Sequence, residues 1–148
     1  MPHSFSKIWI HTVLVTQDHL PFLEDTIKER VYEHIRQELK EQGCPMLIAN
    51  GMPDHVHVLF LLSAQKSLAE VIKQLKRSTA AQINQQEEFA EQREKVFSWH
   101  PGYAAYSVSE TAVDKMFQYI KNQEQHHAMH TFQEEYRNLN TLYRKDEE

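Results

Sequence analysis

Glycine is scarce in this chain. Of 148 residues only three are glycine, at Gly43, Gly51 and Gly102. That excludes a Walker A loop and a Gly-x-Gly-x-x-Gly fingerprint, and with them the usual nucleotide-cofactor sites. Cysteine occurs once, as Cys44, so no internal disulfide is possible. A single thiol suits the cytoplasm, where it serves most simply as a small buried hydrophobe. No apolar run approaches the ~18 residues needed to span a bilayer. The first residues, Met1 to Lys7, lack a signal-peptide pattern. Positive charge is not in excess either: 16 Lys and Arg stand against 21 Asp and Glu, a net −5. That balance argues against a broad basic footprint for duplex DNA.

What remains is the composition of one globular domain, residues 1–148, large enough to bury a core. Ile8 to Thr16 is rich in β-branched and aromatic residues and reads as a first strand. Phe22 to Gln42 carries Leu23, Ile27, Val31, Ile35 and Leu39 at a spacing of four, an amphipathic helix with Gly43 as its stop. Pro45 to Ala49 is a short second strand, and Asn50 to Asp54 reads as the turn into a third. A turn that short makes the pair an antiparallel hairpin. Ser67 with Glu70 forms a capping box ahead of a second helix bearing Leu68, Val71, Ile72, Leu75, Ala80 and Ile83. Tyr103 to Ser109 reads as a fourth strand. Ser109 and Glu110 cap a third helix from Thr111 to about His127, and a last helix runs from Phe132 to about Tyr143. The order β-α-β-β-α-β is that of an α+β ferredoxin-like sandwich: a four-stranded antiparallel sheet with additional C-terminal helices.

The chemistry concentrates in the third strand. Val56 to Leu62 is an unbroken apolar run, and His55 and His57 open it. Alternation puts both imidazoles on one face, roughly 7 Å apart along the chain. Such a pair can converge on one metal ion, or it can be two hydrogen-bonded core histidines; the spacing alone leaves both open. In the third helix Tyr119 and Gln123 are four apart and share a face. His126 and His127 point different ways. Lys73, Lys76 and Arg77 form a basic i, i+3, i+4 group in a stretch with little acid, which reads most simply as a solvated face.

Several stretches, in order, cover nearly the whole chain: Gly43-Cys44-Pro45, Asn50 to His57, Ser67-Leu68-Ala69, Phe97-Ser98-Trp99, Tyr106 to Ser109, Tyr119 to Gln123 and Phe132 to Tyr136. Together they resemble the single-tyrosine transposases of the HUH superfamily, the insertion-sequence 200/605 class. The resemblance implies that His55, His57 and Gln123 ligate a divalent metal, Mg²⁺ or Mn²⁺, and that Tyr119 attacks DNA. It implies a homodimer acting on single-stranded DNA with hairpin ends, through a covalent 5′-phosphotyrosine, with no nucleotide cofactor and no membrane. Lys73, Lys76 and Arg77 become candidates for backbone contacts. The alternative is a non-catalytic DNA-binding regulator derived from such an enzyme. In that family the tyrosine helix of one subunit can complete the site on the other, and the sequence leaves open whether Tyr119 meets its own subunit's histidines.

Overall fold

The computed structural model describes residues 5–86, 96–123 and 134–139. Strand β1, Ile8–Val15, sits inside the sheet because its two faces differ in chemistry. Ile10 and Leu14 face one way into the main core, while His11 and Val13 face the other. Helix α1, Lys28–Glu41, follows, then β2, Met46–Met52, β3, His55–Leu62, helix α2, Leu68–Gln85, and β4, Ala104–Val108. The sheet order is β2-β3-β1-β4 and every pairing is antiparallel. Helices α1 and α2 pack over one face on Val56, Val58 and Phe60. Helix α3, Val113–Lys121, covers the opposite face through Val113, Met116 and Ile120 against Leu59 and Val108. Residues 134–139 are helical. No described helix is long and apolar enough to cross a membrane.

Local chemistry accounts for most boundaries. Gly43, at φ +74, ends α1 in a Schellman arrangement: its N–H donates to Lys40 O and that of Cys44 to Leu39 O, at 3.0 and 2.8 Å. The Ser67 hydroxyl accepts from Glu70 N at 3.2 Å and starts α2. Cys44 is buried in the main core.

Three boundaries differ from the sequence reading. Helix α1 begins at Lys28 rather than Phe22, because Leu23 N–H is drawn to Pro53 O at 2.8 Å and Phe22 packs on Phe97. Strand β2 runs on to Met52, so Asn50 and Gly51 belong to the ladder and only Pro53-Asp54 turns. Gly51 is required there by close approach: a Cβ would lie 2.2 Å from His55 O. Ser109 makes no side-chain cap, and Glu110 takes hydrogen bonds from Lys7 and Trp9, each at 2.7 Å. His126, His127 and the ends of the last two helices lie outside the described residues.

Candidate functional site

Register puts the histidines in the middle of the sheet. His57 pairs with Val13 of β1 and Asn50 of β2, and His55 pairs with Val15 and Met52. Both imidazoles are wholly buried, on the face that α3 covers, with ring centroids 5.2 Å apart. Each ring is held from behind. Asp54 Oδ1 lies 2.7 Å from His55 Nδ1, and His11 Nε2 lies 2.9 Å from His57 Nδ1. Both Nε2 atoms therefore point forward, and what they meet is Glu135. Its carboxylate lies 3.4 Å from His55 Nε2 and 3.0 Å from His57 Nε2. The three donors fall within 4.8 Å of one another.

Tyr119 joins this group from α3. Its hydroxyl donates to Glu135 Oε1 at 2.5 Å, and its ring lies 5.8 Å from that of His57. The helix is aimed by Asn50, whose carboxamide donates to Ile120 O and Lys121 O, at 3.0 and 3.1 Å. Gln123 follows one turn after Tyr119. It is wholly buried, its Nε2 donates to Tyr119 O, and its Oε1 has no hydrogen-bond partner among the described residues. A buried carboxamide oxygen in that condition is costly unless something completes it.

The electrostatics are those of a coupled cluster. Burial alone would push the Glu135 carboxyl up, but contacts from His55, His57 and Tyr119 outweigh it and hold the group far below the usual carboxylate range. Burial pulls His55 down, and the Asp54 and Glu135 carboxylates more than reverse that, raising it. For Asp54 burial raises and the His55 contact lowers, with a net depression. Burial, helped by His57, drives His11 well below the ordinary 6.5. Neutral His11 can then accept the Nδ1 proton of His57.

The basic trio is not brought here. Lys76 Nζ donates to His100 O and Gly102 O, at 3.0 and 2.8 Å. Lys73 and Arg77 line a groove with Glu38, Glu41 and Glu70, on the helical layer across the sheet. Sequence reasoning also passed over three residues that shape the site: His11, Asp54 and Glu135. Asp54 and Glu135 stand inside stretches that carried the resemblance, so motif membership was a usable signal. For His11 the only signal was its alternation with Val13.

Comparison with known proteins gives the family and the fold. The model of the family described as transposase IS200 like matches residues 4–123. The ISDra2 transposase TnpA of Deinococcus radiodurans is 27% identical over 92 residues, which cover 60% of this chain and 64% of that protein. The match thus spans less than two thirds of that relative's length. Two solved structures share the fold. One is a chain from Deinococcus radiodurans R1 assigned as a transposase, with a TM-score of 0.67 at 24% identity, covering 83% of this chain and 95% of that one. The other is a REP-associated tyrosine transposase bound to a REP hairpin, with a TM-score of 0.58 at 14% identity, covering 86% and 73%. With the family model spanning residues 4–123 of 148, the chain belongs to the IS200-like transposase family.

Proposed function

We propose that this protein cleaves and rejoins single-stranded DNA at hairpin-bearing ends, with Tyr119 as nucleophile and a divalent cation at the histidine pair. One observation carries the reading: a phenol, a carboxylate and two forward-pointing imidazoles meet at a single point of the sheet. Tyr106 also lies on His11, at 5.9 Å between rings, yet burial and Tyr136 push its phenol up to about 12. Tyr119, in contrast, has an acceptor for its proton in place.

The donor set fits a cation. Two imidazoles are fixed through Nδ1, as metal-ligating histidines generally are. An orphaned carboxamide oxygen belongs to Gln123, and a buried carboxylate to Glu135. His55 and His57 would hold the ion, with Gln123 and Glu135 supplying oxygen. That mixture suits Mn²⁺ or Mg²⁺. A cation bound there would polarise the scissile phosphate and offset the charge that develops on it.

The chain's own residues do the rest. Tyr119 attacks phosphorus, the P–O3′ bond breaks, and the strand divides into a 5′-phosphotyrosine and a free 3′-hydroxyl. The phenolic proton leaves by way of Glu135, which accepts its hydrogen bond, and ends on the departing 3′ oxygen, so none is gained or lost. Rejoining runs the same path backward. The phosphotyrosine keeps the phosphodiester's energy, so no ATP is needed, in keeping with the absence of a nucleotide loop. The homodimer is part of this reading. Lys73 and Arg77 stay candidates only for DNA distant from the scissile phosphate, since α2 lies across the sheet from Tyr119.

The test is direct. The native protein, mixed with Mn²⁺ and a strand carrying the hairpin ends that flank its own coding sequence, should yield a covalent adduct on a denaturing gel. Tyr119→Phe should yield none. An adduct from Tyr119→Phe, or none from the native protein with either metal, would overturn the proposal.

A further inference from the structure

A groove of about 390 Å³ opens beside the histidine pair. The residues that matter in it are Val13, Val15, His19, His100, Tyr103 and Tyr136. Its floor and the site share one face of one sheet. Val13 is the direct cross-strand partner of His57, and Val15 that of His55. Facing side chains at such pairs have Cβ atoms roughly 5 Å apart. The far wall is continuous with the site as well, because Tyr136 follows Glu135 in the chain. A strand whose phosphate stood against Tyr119 would therefore have its adjoining nucleotide at the mouth of the groove.

The lining has a definite chemistry. Valines make an apolar floor. Two imidazoles and two phenols make the walls, and Tyr103 and Tyr136 are each 43% exposed. Among the described lining residues none is Lys, Arg, Asp or Glu. Flat π surfaces with polar edges suit a neutral heteroaromatic ring. The rim is also fixed in place. Lys76 ties down the carbonyls of His100 and Gly102. His19 is held in the left-handed region, at φ 57 next to Asp18 at φ 58, with its ring 4.0 Å from Asp54 Oδ2. Non-glycine residues rarely adopt that backbone, and such strain persists only where the surroundings impose it. The carboxylate that anchors His55 thus also reaches the groove wall.

We infer that this groove receives one unpaired nucleobase of the strand being cleaved, next to the scissile phosphate. The inference rests on the function proposed above and adds a requirement to it. A base stacked and paired in a duplex cannot enter; only an extruded or single-stranded one can.

The experiment uses the full chain as Tyr119→Phe, which cannot form the adduct, and the strand described above. 2-Aminopurine is walked along it one position at a time, and its fluorescence is read as protein is added. One position should respond sharply on binding. An abasic site there should weaken binding about ten-fold, the order expected for loss of one stacked base. Added separately to the Tyr119→Phe chain, Tyr103→Ala and Tyr136→Ala should remove the difference between intact and abasic strands, while Tyr136→Phe should retain it. Tyr103 is in an exposed loop, so its loss leaves the fold intact, and circular dichroism checks each variant. Equal binding of intact and abasic strands at every position would overturn the inference, as would a difference that survives both alanine variants. These outcomes are read from binding alone. They stay separate from the adduct assay, whose failure would remove the catalytic reading instead.

Discussion

Glu135 ties the tyrosine to the histidine pair. One carboxylate meets the Tyr119 hydroxyl and both His Nε2 atoms, and it is buried to 3% exposure. Gln at this position keeps the shape but cannot take a proton. Glu135→Gln should therefore slow adduct formation by about 10²-fold or more, the usual share of a positioned proton acceptor. A time course of adduct yield, normalised to folded protein, checks this, and an unchanged rate would reduce Glu135 to a structural role. His11 acts one step further back. It touches His57 at Nδ1, behind the Nε2 proposed to hold the cation. Removing such a support typically costs about 10–100-fold in metal affinity. His11→Ala should show that loss in a calorimetric Mn²⁺ titration, while Tyr119→Phe should bind Mn²⁺ nearly as well as the native chain.

At the scale of elements, the site depends on where α3 docks. Asn50 holds the end of that helix through the carbonyl oxygens of Ile120 and Lys121. Each such bond contributes about 1 kcal/mol, so Asn50→Ala should lower unfolding stability by about 2 kcal/mol. Because Tyr119 and Gln123 ride on the same helix, adduct formation per folded molecule should fall too. Ser67→Ala is the control. Losing that cap costs about 1 kcal/mol, but α2 lies across the sheet, so activity per folded molecule should hold. Urea denaturation and the adduct assay together separate the two effects. The elements themselves were largely readable. Period-four apolar spacing marked α1 and α2, Gly43 and Ser67 marked an end and a start, and alternation placed His55 and His57 on one face. The start of α1 was not readable, because Leu23 and Ile27 continue its period while a tertiary bond to Pro53 claims the backbone. Glu135 was hidden for a similar reason. It stands next to Glu134, and only the phase of a helix docked from far along the chain decides which carboxylate turns inward.

At the scale of the whole molecule, the chain is a sheet with two unlike faces. One is a dry core under α1 and α2; the other is a polar layer of His11, His55, His57, Gln123 and Glu135 under α3 and the segment 134–139. Within the chain the Tyr119 ring lies 5.8 Å from that of His57. For the homodimer proposed above, this makes the tyrosine of the same subunit the candidate partner of the histidines, a question that sequence leaves open. If each subunit holds a complete site, a subunit lacking Tyr119 and a subunit lacking the histidines cannot rescue one another. Tyr119→Phe protein should therefore be mixed with the His55→Ala/His57→Ala double variant, under conditions that allow subunits to exchange, and given Mn²⁺ and the hairpin strand. The expected result is no adduct above that of each variant alone. If the tyrosine instead crossed to the partner, the mixed dimer would contain one intact composite site. The adduct would then reappear, carried by the histidine-deficient chain, because that chain donates the tyrosine. Tagging the two variants to different lengths shows on the same gel which chain holds the DNA. An adduct on the histidine-deficient chain would show that α3 swaps between subunits when DNA binds, and that the arrangement seen in a single chain is a resting state.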